Sequence, residues 1–251
     1  PVTSVAVMML LERCALRLDD PIKRYLPAFA EMEVFIGGDA QTPQTKPADR
    51  DIQIVDLLTH TSGLTYSFLM QSEVDAIYRN RKIDTLNTTM TLETFCDEIA
   101  KAPLLFSPGE RWNYSNATDV LGRIVEVVSG KPLDVFFKEE IFNPLGMNDT
   151  GFHAKESEHH RLMACYSRNP LSGEIKLADP RGSESRAFAS APALLSGGGG
   201  LVSSIGDYYK FCRMLARGGE LNGARLLSPK TIEYMTRNHL PQDKIIAEMG
   251  D

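Results

Sequence analysis

A chain of 251 residues, 43% hydrophobic and 24% charged, has apolar material for one large domain or two modest ones and the make-up of a soluble globular protein. A net charge of −6 with no cluster of Lys and Arg argues against nucleic acid or an anionic membrane as its main partner. The four cysteines form no C-x-x-C pair. Cys14, Cys96 and Cys212 lie in helical patterns among apolar neighbours and read as buried free thiols, so a reducing compartment, and with it the cytoplasm, is favoured over a disulfide framework.

Taken in order, Val5 to Leu11 is apolar but has neither the preceding basic region nor the following cleavage site of a signal peptide, and it is too short to span a bilayer. Thr3 to Leu18 reads as a helix apolar on nearly all sides, hence central and buried, ended by Asp19-Asp20-Pro21. The chain has no initiator Met and Pro1 runs almost directly into this helix, so a natural N-terminus upstream is expected. Residues 37 to 51, with Gly37-Gly38, Pro43 and Pro47, read as a loop. Ile52 to Thr59 is a short helix, and Gly63 suits its left-handed exit. Ser72 to Arg81 is helical, and Thr91 caps a helix to about Lys101 with Leu92, Phe95 and Ile99 on one face. The clearest helix follows residue 116, with Leu121, Ile124, Val125 and Val128 as its stripe and Gly130 as its stop. Pro132 opens the next helix, which runs to Asn143-Pro144-Leu145-Gly146. Residues 163 to 177 read as a β-hairpin. Ser204 with Asp207 caps a helix ending at Gly218-Gly219, Asn222-Gly223 is a hairpin turn, and Ser228-Pro229 starts a last helix. The chain is therefore helix-rich, an α+β protein with few strands.

Chemistry centres on Arg111-Trp112-Asn113-Tyr114-Ser115-Asn116. Taken alone, Asn116 reads as a helix N-cap completing a capping box with Asp119, and Tyr114 as a buried aromatic at the helix entry. Other candidates have plainer readings. Ser62 beside His60, and Ser196 before four glycines, both lack the Gly-x-Ser-x-Gly elbow of a nucleophile. Gly197 to Gly200 lacks the lysine of a P-loop and reads as tight backbone packing. His153, His159 and His160 with Glu156 and Glu158 lack metal-ligand spacing, so no metal and no cofactor is expected.

A set of segments in fixed order changes the weight of Tyr114 and Asn116. Leu57-Leu58-Thr59-His60-Thr61-Ser62-Gly63-Leu64 is followed by Ser107-Pro108-Gly109-Glu110, Tyr114-Ser115-Asn116, Pro144-Leu145-Gly146-Met147 and Gly198-Gly199-Gly200-Leu201-Val202-Ser203. Together they resemble the serine β-lactamase and penicillin-binding-protein superfamily, closest to its class C-like branch of family VIII carboxylesterases, over essentially the whole chain.

The resemblance implies a β-lactamase/DD-peptidase-like fold. Residues 1–220 would cover its helical region, with 1–18 as the central helix and 163–177 as a hairpin. Residues 221–251 would begin the return to the α/β domain, cut short. It also implies an acyl-enzyme mechanism on a small-molecule ester, or a β-lactam or D-Ala-D-Ala-type amide. Tyr114 would be the proton carrier and Asn116 a substrate-binding amide. A free phenol near pKa 10 is a poor base at neutral pH, and a lysine ammonium beside it would make Tyr114 useful for proton transfer. The family's Ser-x-x-Lys motif is absent from residues 1–251. In the family it directly precedes a segment like Pro1-Val2-Thr3-Ser4, and the third motif and half of the oxyanion hole lie on a later strand. The chain is accordingly expected to begin just after the catalytic lysine and to be inert by itself. The rival expectation is a binding or scaffold protein that keeps the fold and has lost the nucleophile.

Overall fold

The computed structural model describes residues 1–85, 88–169 and 172–240. The chain runs through α1 (Val2–Glu12), β1 (Glu33–Gly38), β2 (Pro43–Pro47), α2 (Ile54–Leu58), α3 (Glu73–Asn80), α4 (Leu92–Ala100) and α5 (Ala117–Ser129). It continues with α6 (Leu133–Phe137), α7 (Asn143–Leu145), β3 (Cys165–Arg168), β4 (Ile175–Asp179), α8 (Ile205–Ala216), β5 (Glu220–Leu221), β6 (Ala224–Arg225) and α9 (Pro229–Met235). The strands form three separate antiparallel hairpins, β1-β2, β3-β4 and β5-β6. Among the described residues no helix is long and apolar enough to cross a membrane.

The core is built on α1 and α5. Val5, Ala6 and Val7 are all fully buried. Three successive buried positions leave a helix no solvent face. α5 presents Val120, Leu121, Ile124 and Val125 to α1, α2, α4 and α6. Each of these side chains contributes about 1.5–3 kcal/mol on burial. Gly130 ends α5 in the left-handed conformation (φ 69°).

α1 stops at Glu12, six residues before the expected Leu18. Cys14 takes the left-handed conformation (φ 55°), its N–H donates to the Leu11 carbonyl, and the Ala15 N–H donates to the Leu10 carbonyl. That pair of bonds is a Schellman ending, usually made by glycine, which the apolar pattern alone does not reveal. Cys14 is thereby exposed, and so is Cys212 on the outer side of α8, opposite buried Phe211 and Met214. The reading of these two as buried thiols is corrected; Cys96 is buried.

The expected loop 37–51 is also corrected, since it contains most of the β1-β2 hairpin. Gly38 (φ 86°) could carry no side chain, because a Cβ there would lie 2.3 Å from the Thr42 carbonyl oxygen. Asp39 closes the turn by accepting from the N–H groups of Gln41 and Thr42. Pro43 and Pro47 sit at the two ends of β2, where a missing donor is tolerated. The hairpin around residues 163–177 is present as β3-β4 with Tyr166 facing Leu177, while Pro170 and Leu171 of its turn lie outside the described residues. Asn222 (φ 51°) and Gly223 (φ 85°) make the two-residue turn between β5 and β6. Of the segment 221–251, residues 241–251 lie outside the described residues.

α2 carries a buried carboxylate. Asp56, 3% exposed, accepts both guanidinium nitrogens of Arg50 at 2.6 and 2.8 Å, the Gln53 N–H at 2.8 Å and the Thr61 hydroxyl at 3.3 Å. Arg50 is exposed, so what Asp56 secures is the Gln53 N–H at the start of α2 and the buried Thr61 hydroxyl. Asp56→Ala is expected to lower stability by about 1–3 kcal/mol, read from the midpoint of urea unfolding.

Candidate active site

Two strips without regular structure meet at the N-terminal end of α5. The N–H groups of Leu105, Gly109, Asn113 and Asn116 donate to the carbonyls of Gly63, Thr61, His60 and Thr65 respectively. The Asn113 side chain adds a bond to the Leu64 carbonyl at 2.9 Å. The segments 57–64 and 107–116, separate in sequence, are therefore one structural unit. The strips approach so closely that a Cβ on Gly63 (φ 84°) would lie 2.3 Å from the Phe106 carbonyl oxygen.

Gly63 does not supply the exit of α2, as expected from sequence. His60 does, in the left-handed conformation (φ 55°), with its N–H on the Leu57 carbonyl and the Thr61 N–H on the Asp56 carbonyl. Histidine tolerates this region better than most residues. The turn carries the His60 imidazole back over the 112–116 strip. There its Nδ1 lies 3.2 Å from Ser115 Oγ, and its ring centroid lies 5.2 Å from that of Tyr114. Burial away from water pushes the His60 pKa down to about 4, so the ring is neutral around pH 7.

Tyr114 is partly exposed and is in ring contact with Tyr66 as well as His60, the Tyr66 centroid being 5.0 Å away. Trp112 lies along the same wall, and Phe68 stacks on Tyr66 at 4.7 Å while 56% exposed. Burial, helped by the nearby Asp119 carboxylate, raises the Tyr66 pKa, so this phenol keeps its proton.

Asn116 is 1% exposed. It is the residue before α5, but its side chain makes no capping bond, and the expected capping box with Asp119 does not form. Instead the Asn116 Nδ2 donates to Asp119 Oδ2 at 3.3 Å, and Asn116 Oδ1 is buried without a hydrogen-bond partner. The reason lies 77 residues on. Ser196 Oγ donates to Asp119 Oδ1 at 2.6 Å, and the Gly198 N–H donates to the same oxygen at 3.2 Å. Burial pushes the Asp119 carboxyl up from its usual range, and these three donors pull against that.

The glycine loop reaches this carboxylate because nothing intervenes. A Cβ on Gly197 would lie 2.5 Å from the Thr118 carbonyl oxygen and 3.4 Å from Gly122 Cα, and Thr3 Oγ1 donates to the Gly197 carbonyl at 2.7 Å. Tight packing is thus what Gly197 and Gly198 do, and Ser196 is structural as read from sequence. Ser62 is fully buried, with its hydroxyl directed at the Leu64 N–H.

The structure brings Tyr114 and Asn116 together with two residues that sequence reasoning did not place with them, Tyr66 and Ser196, and gives Asp119 a different bond to Asn116 from the capping box expected. Periodicity could not find them, since their proximity is set by loop crossings. A separate cavity of about 140 Å³ lies between α1, α2 and α9, lined by Met8, Leu18, Leu58 and Met235 among others, away from Tyr114. His159 and His160 bond to the backbone carbonyls of Ala154 and Ser157.

The family model described as "Beta-lactamase" matches residues 1–247. The chain is 34% identical over 247 residues to Protein Rv1367c of Mycobacterium tuberculosis (strain ATCC 25618 / H37Rv), covering 97% of this chain and 58% of that protein. It is 34% identical over 219 residues to Esterase EstB of Burkholderia gladioli, covering 82% of this chain and 52% of the relative. The unliganded selenomethionyl structure of Simvastatin Synthase (LovD) from Aspergillus terreus superposes with a TM-score of 0.77 at 27% identity, over 96% of this chain and 56% of that one. The octameric penicillin-binding protein homologue from Pyrococcus abyssi superposes with a TM-score of 0.62 at 26% identity, over 92% of this chain and 45% of that one, and with the family match this establishes a β-lactamase/penicillin-binding-protein-like fold. The chain spans between 52% and 58% of the length of the two curated relatives described.

His60 gives the site an acid-sensitive fold. Its folded pKa of about 4 lies below the ordinary 6.5, so as pH falls the unfolded chain takes up the proton first. The stabilising effect of a neutral His60 is complete above about pH 6.5 and is lost as pH falls to about 4, by up to about 3 kcal/mol. Urea unfolding between pH 7 and pH 4.5 is expected to show a smaller loss for His60→Gln than for the unsubstituted chain.

Proposed function

This chain belongs to the beta-lactamase family, and from that premise we propose that it carries part of a serine acyl-transfer site acting on carboxylesters. In this reading Tyr114 is the proton carrier and Asn116 the amide beside the substrate, in a polypeptide of the relatives' length. The observation that carries the proposal is the pairing at the start of α5. A partly exposed phenol in contact with two aromatic rings stands two residues before a buried amide whose oxygen has no partner. A buried acceptor left open costs about 1–3 kcal/mol, which a donor arriving from a lysine or a substrate would recover.

No serine of the cluster serves as the nucleophile. Ser62, Ser115 and Ser196 are each buried and engaged by the Leu64 N–H, His60 and Asp119 respectively. In this reading the nucleophile and its lysine belong to a Ser-x-x-Lys motif, which the sequence given does not contain. The ester carbonyl would be attacked there, and the serine oxygen would acylate as the C–O bond to the alcohol breaks. Tyr114 would pass a proton to the departing alkoxide, and water would then release the acid, or a second alcohol would take the acyl group. Relatives named as an esterase and as an acyltransferase support both ends of that sequence. A relative named as a putative D-alanyl-D-alanine carboxypeptidase keeps amides as the second substrate class.

A polypeptide of the relatives' length should turn over a short-chain nitrophenyl ester and be labelled by a serine-directed phosphonate. Absence of both would leave the scaffold reading in its place. In the same assay Tyr114→Phe is expected to lower kcat at least about 100-fold with little change in KM. An unchanged kcat would reduce Tyr114 to packing.

A further inference from the structure

We propose that Asp119 is a positioning residue that sets which end of the Asn116 amide faces the site. The proposal rests on the reading of Asn116 as a site residue and deepens it.

Ser196 Oγ and the Gly198 N–H both donate to Asp119 Oδ1, at 2.6 and 3.2 Å, which leaves Oδ2 for Asn116 alone. Three donors converge on the carboxyl, and they favour its ionised form against the burial that raises its pKa. An ionised carboxylate only accepts hydrogen bonds, so the NH₂ end of Asn116 must turn toward it. Oδ1 then points away from Asp119, and it is the Asn116 atom that has no partner. The site is thereby presented with an acceptor. Without Asp119 the two ends of the amide are nearly the same size, and shape alone would not choose between them. The carboxylate is itself held fixed. Its donors come from the 196–198 loop, which cannot shift because Gly197 is wedged against Thr118 and Gly122 and its carbonyl accepts from Thr3. A contact 194 residues apart in sequence thus determines the polarity of one amide.

An amide at position 119 decides the matter. Its oxygen would keep the two donors from Ser196 and Gly198, so its NH₂ would face Asn116. Asn116 would have to turn its oxygen inward and show its NH₂ to the site. In a polypeptide of the relatives' length, Asp119→Asn is expected to fold and to lose ester turnover by roughly 10- to 100-fold. The exchanged pair Asp119→Asn with Asn116→Asp restores an acceptor toward the site and is expected to recover at least tenfold of that loss. Turnover within twofold of the unsubstituted protein in the single variant, or no recovery in the exchanged pair, overturns the proposal. If the single variant does not fold, the exchanged pair alone carries the test and must fold and turn over within tenfold of the parent. If the unsubstituted protein turns over no ester, the hydrolase reading fails by itself. Hydrogen exchange of the Asn116 side-chain amide then decides this one: slow in the parent and fast in Asp119→Asn supports it, and equal rates overturn it.

Discussion

Four backbone N–H groups on the strip 105–116 donate to carbonyls of the strip 60–65, and the site exists only because they do. Both strips are irregular, and buried irregular backbone must find partners for its polar groups or lose the cost of desolvating them. Each strip is the other's partner. The consequence is positional: His60 and Tyr114, 54 residues apart in number, are brought to ring contact by main-chain bonds rather than by side-chain attraction. Gly63 is the residue whose missing side chain lets the strips close. Beneath them Arg50 and Asp56 pin the turn, with Arg50 lying against Gly109 so tightly that a Cβ there would be 2.5 Å from its guanidinium.

How much of this is legible in the sequence depends on the physics of each part. The stripe of α5, the Thr91 cap of α4, the Ser204 cap of α8 and the Asn222-Gly223 turn follow from local rules and stand where those rules put them. Local rules fail where a residue does an unusual job. Cys14 and His60 end helices in a conformation normally left to glycine, so the apolar pattern overruns the end of α1 and points to Gly63 for the role that His60 has. The capping box suggested by the spacing of Asn116 and Asp119 does not form, because Ser196 and Gly198 claim Asp119. A long-range demand on a side chain cannot be seen from its four nearest neighbours. Of the segments that carry the family resemblance, 57–64, 107–116 and the glycine loop at Gly198 meet at the start of α5, a meeting that only the structure shows.

The charges of the cluster point the same way as its hydrogen bonds. His60 is held neutral by burial, and Tyr66 keeps its proton because burial and the Asp119 carboxylate oppose losing it. Asp119 takes three donors on its oxygens, and these oppose the rise that burial gives its pKa. Among the described residues no lysine or arginine hydrogen-bonds to His60, Tyr66, Tyr114, Asn116 or Asp119. Tyr114, with its two neighbouring rings, thus shares the start of α5 with the Asp119 carboxyl and the open Asn116 acceptor. A second anion brought there would be repelled in a medium of low dielectric. A cation would gain on three counts: attraction to Asp119, a hydrogen bond to Asn116 Oδ1, and relief of an acceptor now without a partner. Under the function proposed above, an ammonium group brought to this end of α5 would be held there, and beside a phenol it would make that phenol a better proton carrier at neutral pH.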